Sequence, residues 1–352
     1  MNVVDYLNNY REVSFNEKPF NEIDALVFTL MSYFPYNLLD KKKFDKDDVV
    51  EFLNTYQPEN KAERKLLDIY ILKTLCTCTR YKDVKFCHYV NKRSNKAIEQ
   101  FQAISFKFKD FIFVSFCGTD ASLLGWKEDF NMAVMSTIPS EVDAIEYINN
   151  VRRMHPFIHM YIGGHSKGGR LAIRAFKEVY KKNTIKGVYS YDNPNFDKSF
   201  YDEDYLHIKD KIYEYAPNES IIGRLICDNK RKIIVKSNAK LLMQHDAYSW
   251  EIDNNHFVRE YNFTQRSDKI SAIINETLER LDHDTKFVFI NAFFSLMERL
   301  DIVEFRDSEY NKKLVLNALS NIRIEWKNTP WEERKTILKV LWSILVIIIR
   351  TR

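Results

Sequence analysis

The stretch Ile162-Gly163-Gly164-His165-Ser166-Lys167-Gly168-Gly169 decides the fold of this chain. It holds four of the 8 glycines in the 352-residue sequence. Because glycine has no Cβ, such a cluster in a glycine-poor chain predicts a backbone that bends sharply. The order Gly164-x-Ser166-x-Gly168 matches a nucleophile elbow, in which a strand ends, the chain turns and a helix begins after an exposed serine. We therefore expect Ser166 to be a nucleophile.

The residues on both sides of this stretch favour a strand-turn-helix. His159 to Ile162 is a short apolar run suited to a buried strand, and Leu171 to Phe176 has helical spacing. We expect positions 164 and 168 to require a residue as small as glycine, because larger side chains there would collide with the neighbouring strand and helix. An ordinary strand-to-helix turn remains the alternative. A phosphate-binding loop fits less well, because the required Gly-Lys-Ser/Thr ending is absent.

Further out, the sequence alternates between strand and helix patterns. Helices are predicted near residues 20–36, 61–80 and 143–154, a hairpin over 104–116, and strands at 188–191, 212–215 and 233–235. The helix at 20–36 should begin at an Asn21 cap and end near Pro35, and Lys109-Asp110 should form the turn of the hairpin. This pattern predicts an α/β protein with a mostly parallel central sheet flanked by helices, its functional loops along one edge.

Beyond about Phe263 the sequence changes to helices rich in leucine, phenylalanine and charge. We therefore predict an α/β domain over residues 1–262 and a helical C-terminal extension over 263–352. The last helix contains the apolar run Val340 to Ile349, which is shorter than the roughly 20 residues of a membrane span. Burial against the domain, a shallow membrane contact and self-association are the alternatives for this run.

The composition limits the class of protein and its compartment. The net charge of +4 comes from 53 basic and 49 acidic residues, a balance that argues against a nucleic-acid partner. Five cysteines and a start, Met1-Asn2-Val3-Val4-Asp5, without a signal-peptide pattern predict a cytoplasmic protein, with a peripheral location at a membrane as the alternative. The spacing of Cys76, Cys78, Cys87 and His88 matches no zinc site. We expect no metal and no cofactor.

A serine nucleophile needs a base, an acid that orients the base, and donors for the oxyanion. In this fold they follow the order serine, acid, histidine. Of the histidines after the elbow, His245 is the favoured base because it lies in a polar loop after a strand. His165, next to the serine, we expect only to pack. Asp192 and Glu219 each follow a strand, and the residues alone leave the choice of acid open.

The oxyanion donors are predicted at Lys167, through its backbone N–H, and at Thr119, where a strand ends in Gly-Thr. The Lys167 side chain is unusual, because a cation in the first turn of a helix costs about 0.3–1 kcal/mol. We expect it to pair with Glu128 or Asp129 or with an anionic part of the substrate. A lysine that simply reaches solvent is the alternative.

Several blocks of the sequence resemble known hydrolases. Gly118-Thr119 followed by Gly125 to Phe130 resembles the Gly-Thr…Trp…Asp block of the fungal-type (class 3) lipases. A fuller resemblance, in order across about residues 20–257, is to the lipase-like α/β-hydrolase family known as domain of unknown function 2974. It includes the elbow, Tyr191 to Phe196 and Gln244 to Trp250. The chain departs from the usual residues of that family at Cys117, Arg170, Asn193 and Asn195.

This resemblance implies an α/β-hydrolase fold and a serine hydrolase that cleaves carboxylic esters. It implies Ser166 as nucleophile, Asp192 as acid and His245 as base, with Thr119 and Lys167 at the oxyanion hole. Glu219, which the residues alone also offered, is the alternative acid. The implied partner is a small ester or lipid-like molecule. The alternative function is a catalytically inactive α/β-hydrolase scaffold that acts as a binding or regulatory module.

Overall fold

The computed structural model describes residues 1–58, 63–227, 231–300, 302 and 321–350. At its centre is a seven-stranded sheet whose strands lie side by side in chain order. Strands β1 to β3 are antiparallel, and β3 to β7 are parallel. The strands are β1 (Lys85–Ser94), β2 (Glu99–Lys107), β3 (Phe111–Phe116), β4 (His159–His165), β5 (Ile185–Tyr191), β6 (Ile212–Pro217) and β7 (Ile233–Val235). A separate hairpin joins β8 (Ile252–Asp253) and β9 (His256–Phe257).

Helices cover both faces of the sheet and form the C-terminal part of the chain. They are α1 (Val3–Tyr10), α2 (Glu22–Met31), α3 (Lys46–Thr55), α4 (Glu63–Thr77), α5 (Leu123–Asn131), α6 (Pro139–Met154), α7 (Lys167–Glu178), α8 (Glu203–Ile208), α9 (Gln265–Arg280), α10 (His283–Arg299), α11 (described over residues 321–328) and α12 (Trp331–Arg350).

The sheet is buried on both faces, as a sheet between helical layers must be. Successive residues of β2 alternate between two apolar cores because strand side chains point to opposite faces. Ile104 and Phe106 join the core under α1, α2 and α4, whereas Phe101 and Ala103 join the core under α6 and α7. The predicted architecture, a mostly parallel sheet flanked by helices with further helices at the C-terminus, is confirmed.

The helix predicted at residues 20–36 and the hairpin predicted at residues 104–116 are both present, but their boundaries differ from the predicted ones. Helix α2 begins after the Asn21 cap, whose side chain accepts from two backbone N–H groups. It ends at Met31 rather than near Pro35, because the N–H groups of residues 32–34 donate to carbonyls three residues back and so form turns in place of a further helical turn. The predicted hairpin is β2 and β3, joined at the Lys109-Asp110 turn.

The C-terminal helices pack against the α/β part through α5 and α10. The ring of Phe130 on α5 lies 5.3 Å from Phe294 and 6.1 Å from Phe293 of α10. Helix α12 in turn contacts both α9 and α10. Among the described residues, none of the helices combines the length and the apolar character that crossing a bilayer requires.

Candidate active site

The elbow is built where β4 ends and α7 begins. Ser166 stands between them with φ of 58° and ψ of −130°, a conformation that costs energy for any residue with a Cβ and is concentrated at functional sites. The sharp bend predicted for the glycines therefore falls on the serine itself, since no glycine of the chain has a positive φ. The Ser166 N–H donates to the carbonyl of Tyr191 on β5 at 2.8 Å, which fixes the turn to the sheet.

The glycines serve close packing instead. A Cβ on Gly164 would lie 2.1 Å from the backbone of Gly168 in α7, and a Cβ on Gly168 would lie 2.2 Å from the carbonyl oxygen of Phe116 in β3. Real Cβ atoms do not approach backbone atoms this closely. The predicted collisions with the neighbouring helix and strand are thus confirmed, and they explain why α7 can sit directly on the sheet below Ser166.

Asp192 and His245 contact each other at the carboxyl end of the sheet. His245 Nδ1 lies 2.7 Å from Asp192 Oδ2, and Asp192 is fully buried. The other carboxylate oxygen accepts from Ser220 Oγ at 2.5 Å. A Cβ on Gly223 would lie 2.3 Å from that same oxygen, so glycine is needed there to leave room for the carboxylate. Ser220 and Gly223 support the carboxylate through contacts that only the folded chain reveals.

The sheet register brings these residues to one edge. His165 on β4 pairs with Tyr191 on β5, so that Ser166 and Asp192 are the next residues along two parallel strands. The ring of His245 lies 4.5 Å from the ring of His165. Within the described part of the chain, the Ser166 hydroxyl has no hydrogen-bond partner. The structure therefore joins Asp192 to His245 directly and places the elbow beside them.

Glu219, the alternative acid, supports the segment that carries His245. Its carboxylate accepts the N–H of Leu241 at 2.9 Å, and its own N–H donates to Gln244 Oε1 at 2.8 Å. These contacts hold the short 3₁₀ helix Leu241–His245. Asp192, rather than Glu219, is the carboxylate that meets the His245 ring.

His165 does more than pack. It is 2% exposed, and its Nε2 lies 2.7 Å from the backbone oxygen of His245. Because a carbonyl only accepts, Nε2 carries the proton and Nδ1 accepts from the Tyr33 hydroxyl at 3.0 Å. Burial holds the pKa of His165 well below its ordinary value, so that the ring is neutral. The residue before the serine thus fixes the backbone of His245, a contact that no local sequence signal announces.

The two residues predicted to supply oxyanion donors lie on the loop after β3 and at the start of α7. The Thr119 hydroxyl donates to Asp129 Oδ2 at 2.5 Å, which leaves the backbone N–H as the available donor of this residue. In the described part of the chain, neither the Thr119 N–H nor the Lys167 N–H has an acceptor. Burial raises the pKa of Asp129 to about 6, against the opposing effects of Lys167 and Thr119.

The Lys167 side chain is in a buried ion pair, which confirms the expected pairing with Glu128. Its Nζ lies 2.8 Å from Glu128 Oε2, and both side chains are fully buried. The ammonium also donates to the backbone oxygen of Gln100 at 2.7 Å and to its Oε1 at 2.9 Å. Ser140 Oγ and N–H donate to Glu128 Oε1 at 2.6 and 3.0 Å. The ammonium neither reaches solvent nor remains available for a substrate anion.

Arg170 and Asn195, two positions at which we expect the chain to differ from the family that it resembles, contact each other. The Arg170 guanidinium donates to the backbone oxygen of Asn195 and lies 2.8 Å from Glu141 Oε1. The Asn195 amide in turn donates to the backbone oxygen of Gly223 at 3.1 Å. These substitutions are thus one buried unit beneath the Asp192 loop, connected to the glycine that makes room for the carboxylate.

A cavity of about 340 Å³ opens beside the loop after β3. Cys117 and Asp120, on either side of Thr119, line it together with Tyr33 and the polar side chains of Gln100 and Gln102. Among the described residues, no group of three or more histidine, cysteine, aspartate or glutamate side chains has the arrangement of a metal site.

The parallel sheet with a serine elbow after β4 and an aspartate–histidine pair at the same edge is the architecture of an α/β-hydrolase. The chain belongs to the Mbeg1-like family, whose sequence model matches residues 75–295, more than half of its length. The predicted membership of a lipase-like family is thereby confirmed.

Among solved structures, the chain is similar to fungal lipases. A lipase from Rhizopus microsporus var. chinensis has 10% identity and a TM-score of 0.41, and the match covers 71% of this chain and 81% of that one. A fungal lipase–inhibitor complex has 12% identity and a TM-score of 0.39, covering 60% and 76%. A deletion mutant of the Rhizomucor miehei lipase propeptide complex has 10% identity and a TM-score of 0.39, covering 67% and 79%. A comparison with curated proteins gave no match.

Proposed function

We propose that this protein is a serine hydrolase that cleaves carboxylic esters. The observation that carries the proposal is the 2.7 Å contact between His245 and the buried carboxylate of Asp192, beside a strained serine elbow. An aspartate on Nδ1 keeps the proton on that nitrogen and leaves Nε2 free to act as a base. Membership of a lipase-like family supports hydrolase chemistry at the general level.

The reaction proceeds in two halves. Ser166 Oγ attacks the ester carbonyl carbon while His245 Nε2 takes the hydroxyl proton, and Asp192 stabilises the imidazolium that forms. The tetrahedral intermediate collapses, the C–O bond to the alcohol breaks, and His245 returns the proton to the leaving oxygen. Water then attacks the acyl-enzyme with the same base, which releases the acid and restores the serine.

The oxyanion is held by backbone donors. The N–H groups of Lys167 and Thr119, which have no acceptor within the described residues, are the proposed pair. Asp129 fixes Thr119 through its hydroxyl, and the Lys167–Glu128 pair ties the start of α7 to α5, the helix that carries Asp129. The donors are therefore set in place before the substrate arrives, which is what makes such stabilisation effective.

The substrate proposed for this site is a small ester with a polar portion. The 340 Å³ cavity beside Thr119 has apolar lining residues such as Phe34 and Ile69 together with the charged side chains of Lys65 and Asp120, so it suits a small molecule with both an apolar and a polar portion. A cytoplasmic location is part of the same proposal. All five cysteines are free thiols, which a reducing compartment maintains.

The second candidate is a catalytically inactive scaffold for binding or regulation. It is favoured by one observation: the Ser166 hydroxyl makes no hydrogen bond within the described residues, although the next residue back, His165, contacts the His245 ring. In a resting enzyme, the serine–histidine contact often tightens only when substrate binds, so both candidates allow this geometry. They differ in whether the serine reacts.

A fluorophosphonate probe separates the two candidates. The purified full chain should be labelled at Ser166, as located by peptide mass spectrometry, and Ser166→Ala should abolish the label. Ser136→Ala, which changes an exposed serine in the loop between α5 and α6, should label like the wild type. No labelling of a folded wild-type protein would overturn the hydrolase and favour the scaffold.

A further inference from the structure

Helix α12 carries an exposed apolar face. Trp331, Leu338, Leu341 and Trp342 are 62%, 50%, 54% and 66% exposed, and their spacing places them on one side of the helix. Ile337 and Val340, about 100° and 160° from Leu338 around the helix axis, are buried, on a helix that packs against α9 and α10. The helix is thus fixed to the protein by one face and presents two tryptophans and two leucines on the other.

Cations accompany the exposed face, and acids lie away from it. Arg334 and Lys335 fall within about 60° of Leu338 around the helix axis, whereas Glu332 and Glu333 lie about 120–140° away. The Arg334 guanidinium lies 5.6 Å from the centre of the Trp331 ring. Within the described residues, Lys335 pairs with no acid. The exposed face therefore combines apolar and aromatic groups with positive charge.

We propose that the exposed face of α12 docks on the surface of an anionic lipid bilayer. A helix with tryptophan and leucine on one face and lysine or arginine beside them lies in the plane of the headgroup region, where tryptophan rings are favoured. The basic side chains add attraction to acidic lipids. Two copies of the same face would bring like charges together in a symmetric dimer, so a lipid surface is the better complement.

The position of α12 relates this surface to the candidate active site. Helix α10 packs against α12 on one side and against α5 on the other. Helix α5 carries Asp129, which holds Thr119. Docking through α12 would therefore connect the candidate active site to the membrane through the packing of α10 between α12 and α5. The proposal is independent of whether Ser166 reacts, because it concerns binding alone.

Co-sedimentation of the full chain with lipid vesicles tests the proposal. We expect binding to vesicles of 70% phosphatidylcholine and 30% phosphatidylserine. The double variant Leu338→Ser/Trp342→Ser should bind roughly 30- to 100-fold more weakly, because two exposed apolar side chains are lost from the contact. The matched control Phe157→Ser/Tyr261→Ser removes rings that are 92% and 96% exposed elsewhere. It should bind like the wild type, with all proteins compared after their thermal unfolding has been measured.

A variant that reverses one charge provides a second test in the same co-sedimentation assay. Lys335→Glu should weaken binding to the phosphatidylserine vesicles about tenfold and leave the weak binding to pure phosphatidylcholine unchanged. The proposal is overturned if the wild type fails to sediment with either vesicle, or if both double variants bind equally. It is also overturned if light scattering shows a wild-type dimer that Leu338→Ser/Trp342→Ser converts to a monomer, since the face would then be covered by a second copy.

Discussion

The serine and the histidine of the candidate site are held in position by different kinds of contact. The elbow is fixed by the backbone, because Gly164 and Gly168 let α7 rest on β3 and β4 with no side chain between them. The His245 segment is a short 3₁₀ helix whose Leu242 and Met243 are 59% and 64% exposed. Side chains from other segments, Glu219 and His165, hold its backbone. The position of the serine is therefore encoded locally, whereas that of the base depends on distant residues.

The largest expected loss of folding stability follows from a substitution in the elbow. Gly164→Ala should lower the free energy of unfolding by about 4 kcal/mol or more, because the new Cβ meets backbone atoms of α7 that cannot move independently. Chemical denaturation measures it. Gly187→Ala in β5 is the control, since its Cβ would meet only side-chain atoms at 3.3 Å or more. Equal stability of the two variants would contradict backbone-level packing.

The next effect concerns the buried ion pair beside the elbow. Lys167→Met should cost about 3–5 kcal/mol, because Glu128 remains buried without its countercharge. Lys167→Met/Glu128→Gln removes both charges and should recover at least half of the loss in urea denaturation. If the double variant were less stable than the single one, the uncompensated carboxylate would not be the cause.

A smaller effect should reach the base without disturbing the elbow. His165→Phe removes the donor to the His245 carbonyl, so fluorophosphonate labelling should slow by about 10- to 100-fold. The free energy of unfolding should fall by about 1–3 kcal/mol for the unpaired carbonyl and Tyr33 hydroxyl. His207→Phe, at an exposed position on α8, is the control. An unchanged labelling rate in His165→Phe would mean that the His245 segment holds itself in place.

The smallest expected effect on stability concerns Asp129, and it depends on pH. Burial raises the pKa of this carboxyl from 3.8 to about 6, so the folded state binds the proton more tightly than the unfolded state. This contribution to stability is therefore full below about pH 4 and is lost as pH rises to about 6. Asp129→Asn should stabilise the protein by about 1–2 kcal/mol at pH 7.5 and little at pH 4.

Denaturation of Asp129→Asn at both pH values checks this expectation. Asp110→Asn, in the exposed turn between β2 and β3, provides the comparison and should change stability little at either pH. A gain of the same size at pH 4 and pH 7.5 would show that the carboxyl is not strained by its burial.

The features predictable from sequence are those with a local cause. The elbow, the Asn21 cap and the Lys109-Asp110 turn each depend on residues close together in the chain, and each is found in the fold. Strand β1 had no such signal. It is an edge strand whose last four residues, 91–94, are all polar, and a bulge between Cys87 and Val90 breaks its alternation of apolar and polar residues.

The candidate active site also contains features that the sequence predicts locally and features that it does not. Ser166 and the candidate acids are visible as residue types at strand ends, and His245 as a histidine in a polar loop after a strand. The choice between Asp192 and Glu219 depends on strand register and on how the chain returns to the sheet, and neither is written in a local pattern. The contact between His165 and the His245 carbonyl joins residues 80 positions apart. Only the folded chain reveals that the neighbour of the serine also positions the base.

The most direct test of the central claim compares the two carboxylates. The rate of fluorophosphonate labelling at Ser166 should fall by about 10³- to 10⁴-fold in Asp192→Asn, because the amide no longer fixes the tautomer of His245. In Glu219→Gln, which keeps an oxygen to accept the Leu241 N–H, the rate should stay within about tenfold of the wild type. Wild-type labelling in Asp192→Asn, or a larger loss in Glu219→Gln, would contradict the assignment of Ser166, His245 and Asp192 as one catalytic unit.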